Sequence, residues 1–84
     1  MTRDEIRETV LRVLGGIAPE ADLNAMDPAA SLRDQLDIDS VDFLNFMIGI
    51  HKELKVEIPD SDVSKFGTLD DCVNYLVSKL ESSR

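Results

Sequence analysis

The chain has 84 residues, which is enough for one domain with a modest core but too few for a deep catalytic cleft between domains. Seventeen acidic residues against nine basic ones give a formal net charge of -8, which argues against nucleic acid and anionic membrane surfaces and favours partners that present Lys and Arg. The single cysteine excludes an internal disulfide, and the lack of a signal peptide or bilayer-spanning apolar run predicts a cytoplasmic protein.

The first predicted element is an amphipathic helix near the N-terminus. Gly15-Gly16 followed by Pro19 predicts its end. The apolar residues of its buried stripe are Ile6, Val10, Val13, Leu14 and Ile17.

A segment of more than twenty residues, containing Pro19 and Pro28, connects this helix to the next one. It is long for a structureless connection, so we expect its apolar side chains to pin it across the helices. Those side chains are Ile17, Leu23, Met26, Leu32, Leu36 and Ile38. Residues 20–42 also hold most of the excess acid, with Arg33 as their single basic residue.

The central helix is predicted from Asp39 to about Leu54, and its apolar residues cover more than one stripe. If Asp39 is the N-cap, Asp42 lies at the N3 position, and Ile38 and Phe43 occupy the two positions of a hydrophobic staple. Ser40 is then the first helical residue, with its hydroxyl not engaged in capping. The cluster of Phe43, Phe46 and Met47 is expected to lie mostly in the core, with one or two of its members facing a ligand.

Two further elements complete the all-α pattern. Pro59 ends the preceding run, and Asp60 is expected to cap a single short turn that carries Val63 and Phe66. A terminal helix follows from Thr68, its N-cap, with Asp71 in the position of a capping-box acid. Its apolar stripe, in which the cysteine is expected to be a small core residue, is Leu69, Cys72, Val73, Leu76, Val77 and Leu80.

These segments together resemble the acyl carrier protein family, over essentially the whole chain. The similarity rests on Leu-Asp-Ile-Asp-Ser-Val-Asp at 36–42, on the apolar helix up to Leu54, on Val-Glu-Ile-Pro-Asp at 56–60, and on the terminal helix. It implies a single domain over residues 1–84, folded as a four-helix bundle with three longer helices, one short helix and a long first loop. It also implies that the chain is a carrier and not an enzyme.

The resemblance further implies that a phosphopantetheinyl transferase uses coenzyme A to modify Ser40. The 4′-phosphopantetheine thiol then holds acyl groups as thioesters, in fatty-acid or related lipid or polyketide biosynthesis. At this helix start the dipole favours a phosphate, but Asp39 and Asp42 repel it, so we expect it to be tolerated and not gripped. Cofactor binding is assigned to Ser40, flanked by Asp39 and Val41.

The expected partners are the transferase and acyl-processing enzymes, such as acyltransferases and ketosynthases, that have basic docking surfaces. We expect a monomer with no metal site, no membrane span and no bound nucleic acid. The residues expected to meet partners are Asp37, Asp39, Val41, Asp42, Leu44, Ile48 and Glu53.

Three residues of the central helix depart from the family pattern. Asn45, His51 and Lys52 stand at positions where many acyl carrier proteins have Glu. We therefore expect a specialised carrier that serves a dedicated pathway instead of general fatty-acid synthesis.

The same residues allow three other interpretations, a peptidyl carrier, a calcium loop and an interaction module. A peptidyl carrier is disfavoured, because that family approaches its serine through Gly-Gly-x-Ser and this chain has Asp37-Ile38-Asp39-Ser40. An EF-hand calcium loop is also disfavoured. If it started at Asp37, its fifth, sixth and twelfth positions would be Val41, Asp42 and Ile48, where a ligand, glycine and glutamate are needed. The remaining alternative is an acidic helical interaction module without a prosthetic group.

Overall fold

The computed structural model describes residues 2–82, and within this range it is all-α, as the sequence predicted. Three long helices, α1, α3 and α4, are accompanied by a short α2 and by two 3₁₀ helices, η1 and η2. Their bounds are α1 Arg3–Ile17, η1 Leu23–Ala25, α2 Leu32–Leu36, α3 Ser40–Leu54, η2 Asp60–Phe66 and α4 Leu69–Ser82. The predicted domain of residues 1–84 also includes Met1 and residues 83–84, which lie outside the described range.

The N-terminal helix begins with a capping box and ends just before Pro19. Thr2 Oγ1 accepts a hydrogen bond from the Glu5 amide at 3.2 Å, and the Glu5 carboxylate accepts one from the Thr2 amide at 2.9 Å. These bonds from Thr2 hold the pKa of Glu5 below its usual value. The predicted stop is confirmed, because the last residue of α1 is Ile17.

Helices α1 and α3 approach each other closely at a glycine. A Cβ atom placed on Gly49 would lie 2.7 Å from Val13 Cγ1, well inside van der Waals contact. A glycine in the middle of α3 costs about 1 kcal/mol of helix propensity relative to alanine. Here the lack of a side chain lets α1 and α3 pack together.

The long first loop is pinned to the bundle, as its apolar residues predicted. Leu32 is fully buried, and its amide donates to the Gly67 carbonyl at 2.9 Å. The Asp70 amide donates to the Pro28 carbonyl at 3.0 Å, so the loop is fastened to the segment that precedes α4 and to its first turn. Two short elements within the loop, η1 and α2, were not predicted.

The short element before α4 exists, but its predicted cap is wrong. Asp60 is the first residue of η2, the N-cap position is held by Pro59, and no side chain caps the amides. Proline starts this element because its fixed φ, here -63°, suits entry into a helical turn. The N-cap of α4 is confirmed, since Thr68 Oγ1 accepts from the Asp71 amide at 3.0 Å.

A hydrogen bond joins η2 to α4. Tyr75 Oη donates to Asp62 Oδ2 at 2.6 Å, and Lys65 forms an ion pair with the other carboxylate oxygen at 3.2 Å. The hydrogen bond from Tyr75 is the main reason that the pKa of Asp62 is lowered. Burial, together with the Asp62 carboxylate, raises the pKa of Tyr75 to about 12.

The core lies between the three long helices and includes the residues predicted from α3. Phe43, Phe46 and Met47 are buried, and the rings of Phe43 and Phe46 lie 5.9 Å apart. Cys72 is fully buried, as predicted, and its Sγ lies 3.6 Å from the Phe66 carbonyl oxygen. Burial and then the nearby Asp71 carboxylate raise the pKa of this thiol to about 12.

Candidate functional site

The candidate site is built on the bend between α2 and α3. Ser31 starts α2 by accepting a hydrogen bond from the Asp34 amide at 3.4 Å. The helix ends at Asp37, whose φ of 53° lies in the left-handed region. The next residue, Ile38, is buried, and it anchors the chain in the core just before α3 begins.

The predicted start of α3 is confirmed in its details. Asp39 is the N-cap, and its Oδ1 accepts from the Asp42 amide at 2.9 Å. Ser40 is the first helical residue and is exposed. The staple residues Ile38 and Phe43 are both buried. The serine hydroxyl is therefore displayed at the surface, while the neighbouring aspartate caps the helix.

A contact that sequence reasoning missed lies directly at this hydroxyl. Arg33 Nη2 donates a hydrogen bond to Ser40 Oγ at 3.1 Å. The sequence shows Arg33 as the single cation of residues 20–42, but its approach to Ser40 depends on the fold of α2 and the bend that follows. The seven-residue separation alone gives no signal of this contact.

An exposed apolar strip follows Ser40 along α3. Val41 is 65% exposed, Leu44 57% and Ile48 44%. Their spacing of three and four residues places them on one side of the helix. Exposed side chains of this size, next to each other on a small acidic domain, are typical of a contact surface for another protein.

The acidic residues predicted to meet partners have unequal surroundings. Asp37 and Asp39 are exposed at the bend, and Asp42 is half-buried one turn into α3. Glu53 lies near the other end of the helix and forms an ion pair with Arg12 of α1 at 2.8 Å. The structure thus groups the three aspartates around Ser40 and places Glu53 apart from them.

Open grooves of different charge lie at the surface of the described part of the chain. A groove of about 320 Å³ has Arg33 on its wall and no carboxylate among its lining residues, which are Ser31, Arg33, Phe43, Val63, Ser64 and Gly67. A groove of about 280 Å³ lies between α3 and η2 and carries Glu57 and Asp60. The third, of about 490 Å³, carries Glu20, Asp37 and Asp42. Arg33, which lines the groove of about 320 Å³, is also the residue that contacts the Ser40 hydroxyl.

His51, one of the three residues that depart from the family pattern, contacts the backbone after α3. His51 Nδ1 lies 2.8 Å from the Val56 carbonyl oxygen, where it helps to hold the chain that leaves α3.

Among residues 2–82, no group of three histidine, cysteine or acidic side chains converges as a metal site would require. No helix in the described part of the chain has the length and apolar character needed to cross a membrane.

Comparison with known proteins agrees with this geometry. Residues 4–76 match the phosphopantetheine attachment site family. The chain is 32% identical to an acyl carrier protein of Chlorobium luteolum, over 94% of this chain and the full length of that one. It is 35% identical to an acyl carrier protein of Zymomonas mobilis, over 89% of this chain and 90% of that one.

A mitochondrial relative and a solved structure extend the comparison. The chain is 26% identical to a mitochondrial acyl carrier protein of Neurospora crassa, and it covers 62% of the length of that protein. The fold matches a structure of the acyl carrier protein from Enterococcus faecalis with a TM-score of 0.79 and 26% identity, over 94% of this chain and 99% of that one. The chain therefore belongs to the acyl carrier protein family, whose cofactor is a covalently attached 4′-phosphopantetheine.

Proposed function

We propose that Ser40 is the residue that bears the 4′-phosphopantetheine, called the arm below. The observation that supports this most strongly is the display of its hydroxyl, exposed at the first position of α3 while Asp39 provides the cap. A modifying enzyme can reach this oxygen without unfolding any part of the bundle. The surroundings also fit a phosphodiester, because first-turn amides and the Arg33 guanidinium both favour an anion.

Attachment is a phosphoryl transfer from coenzyme A, carried out by a phosphopantetheinyl transferase. The Ser40 oxygen bonds to the phosphorus next to the pantetheine, and the pyrophosphate bridge of coenzyme A breaks. Adenosine 3′,5′-bisphosphate leaves, and the transferase takes up the hydroxyl proton. Once attached, the arm supplies a terminal thiol on which acyl groups are held as thioesters.

Enzymes that load and unload the arm are proposed to dock beside Ser40. The exposed strip of Val41, Leu44 and Ile48 offers an apolar centre, and Asp37 and Asp39 offer exposed negative charge next to it. An apolar centre with a charged rim suits acyltransferases or ketosynthases whose docking surface is basic. Glu53 contributes less to such docking, because its charge is already paired with Arg12.

The carrier is proposed to serve a dedicated pathway of fatty-acid, lipid or polyketide synthesis. Asn45, His51 and Lys52 are all exposed on α3, so each changes the charge that a docking enzyme meets. Neutral or basic side chains here weaken attraction to a basic partner that is matched to a more acidic helix.

Intact mass tests the attachment site. We expect the purified chain, incubated with coenzyme A and a broad-specificity transferase, to gain the mass of one phosphopantetheine. Ser40→Ala should abolish the gain because it removes the attacking oxygen. Ser64→Ala is the matched control, since Ser64 is another exposed serine, and it should be modified like the unaltered chain.

The same measurement distinguishes a carrier from an interaction module that has no prosthetic group. A mass gain that persists in Ser40→Ala would place the arm on another residue. No gain in the unaltered chain would support an acidic interaction module without a prosthetic group.

A further inference from the structure

Arg33 stands out because its guanidinium contacts a hydroxyl in a neighbourhood rich in carboxylates. Asp34, Asp37, Asp39 and Asp42 all lie within nine residues of it along the chain. Within residues 2–82 the ion pairs are Arg12 with Glu53 and Lys65 with Asp62, and Arg33 forms none. The Arg33 guanidinium donates a hydrogen bond to Ser40 Oγ instead.

The backbone on both sides of Arg33 is fixed, so this contact has a defined origin. Leu32, the preceding residue, is fully buried and is bonded through its amide to Gly67. The Arg33 carbonyl itself accepts from the amides of Asp37 and Ile38, which close the bend after α2. The backbone that carries the side chain is thereby tied by hydrogen bonds to the bend that leads into Ser40.

Charge around Ser40 gives this contact a function. A phosphodiester on Ser40 would add a negative charge between Asp39 and Asp42 in the sequence, and like charges repel each other. The amides at the start of α3 offset part of it. Arg33 adds a full positive charge and a planar set of N–H donors, which match phosphate oxygens two at a time.

On the basis of the proposed attachment at Ser40, we infer that Arg33 is a positioning residue for the arm. Its guanidinium, 3.1 Å from the oxygen that becomes the ester link, pairs with the non-bridging phosphate oxygens. The phosphate end of the arm is then held at α2, and mobility begins at the pantetheine portion. This revises the expectation that the phosphate is tolerated without being gripped, which weighed the start of α3 against Asp39 and Asp42 and did not include Arg33.

Phosphorus NMR of the modified protein tests the inference. Three variants are prepared in the arm-bearing form and checked by intact mass: Arg33→Gln, Arg33→Lys and the control Arg7→Gln. Arg7→Gln changes the net charge by the same amount from an exposed site on α1. We expect Arg33→Gln to shift and narrow the phosphodiester resonance, Arg33→Lys to give an intermediate position, and Arg7→Gln to match the unaltered protein.

Salt and arginine resonances provide two independent measurements. At about 1 M salt, where the screening length is ~3 Å, the resonance of the unaltered protein should move toward that of Arg33→Gln. In the unaltered protein, attachment of the arm should shift the side-chain N–H resonances of Arg33 and leave those of Arg7 in place. This second measurement needs no variant and holds even if Arg33→Gln is modified slowly or folds poorly.

The outcomes distinguish this inference from the proposed function. Unchanged Arg33 resonances on attachment, with the same phosphorus resonance in Arg33→Gln and the unaltered protein, would overturn the positioning role while leaving Ser40 as the attachment residue. A chain that gains no phosphopantetheine at all would overturn the attachment itself.

Discussion

Single residues decide two features of this molecule, the display of Ser40 and the approach of α1 to α3. The first was predictable because capping chemistry is local: Asp39 and Asp42 are three residues apart, and their bond is made within one turn. The position of Arg33 was not predictable, since it depends on a left-handed Asp37 where no glycine marks the turn. The start of α2, which carries Arg33, could be recognised from Ser31 followed by Asp34 three residues later. The end of α2 at the left-handed Asp37 could not.

Gly49 gives a prediction at this scale. Gly49→Ala should lower the free energy of unfolding, because the new methyl group would meet Val13 Cγ1 at 2.7 Å. Overpacking typically costs ~1–3 kcal/mol, and the gain in helix propensity returns about 1 kcal/mol of it. Urea denaturation of the two proteins measures the difference.

The matched control is another helical glycine. An alanine side chain at Gly16 would meet nothing within 4 Å, so Gly16→Ala should be neutral or stabilising by up to ~1 kcal/mol. Adding Val13→Ala to Gly49→Ala should relieve the clash and reveal a coupling between the two positions. Equal stability of Gly49→Ala and Gly16→Ala would show that the close approach has no energetic effect.

At the scale of elements, prediction succeeded for the three long amphipathic helices and for the short η2, which a proline marks, and it missed the two shortest elements. The helices α1, α3 and α4 each have fourteen or fifteen residues, enough for several repeats of the apolar spacing. Helix α2 has five residues and η1 has three, which is too few for a period to show. Their positions are set by tertiary bonds such as Leu32 to Gly67.

The contact between η2 and α4 gives a prediction that depends on pH. Tyr75→Phe removes the hydrogen bond to Asp62 and should destabilise the fold at neutral pH. In the folded chain this bond lowers the pKa of Asp62, so its stabilising effect is present above the usual value of 3.8 and is lost as the pH falls through the lowered one. The difference in unfolding free energy between the two proteins should therefore shrink in acid.

Carbon NMR titration of the carboxyl groups checks the same contact directly. The pKa of Asp62 should rise toward its usual value in Tyr75→Phe, while Glu5, which depends on Thr2, should titrate as before. The raised pKa of Tyr75 adds a loss of stability in the unaltered chain between about pH 10 and 12, which Tyr75→Phe should lack. An unchanged Asp62 titration would contradict the assigned cause.

At the scale of the whole molecule, the net charge of -8 and the length of 84 residues favour a small domain with cationic protein partners over a catalytic one. The family assignment could also be made from sequence, since the matched region runs almost the length of the chain. Val41, Leu44 and Ile48 were also predicted from the sequence as residues that meet partners, and the structure exposes all three on α3. The contact between Arg33 and Ser40 was not predicted, because it depends on how α2 and the following bend fold.

Partner selection gives the prediction that belongs to the whole surface. General fatty-acid-synthase enzymes should load and elongate this carrier poorly, and Asn45→Glu combined with Lys52→Glu should improve their use of it by increasing attraction to basic docking surfaces. Steady-state rates with a fixed amount of arm-bearing protein measure this. The matched control is Arg3→Glu combined with Arg7→Gln, which changes the net charge by the same amount from exposed sites on α1 and should leave the rates unimproved. Efficient use of the unaltered carrier would argue against a dedicated pathway.

The buried Cys72 has a chemical consequence if the cargo is held as a thioester, as proposed above. Exchange between sulfur atoms requires a thiolate, and a thiol that is sealed in the interior with a pKa of about 12 does not provide one at neutral pH. An acyl group at the tip of the proposed arm therefore has no cysteine thiolate of this chain to which it could migrate by exchange between sulfur atoms. Thiol-selective reagents are then expected to label the sulfur of the arm and not Cys72.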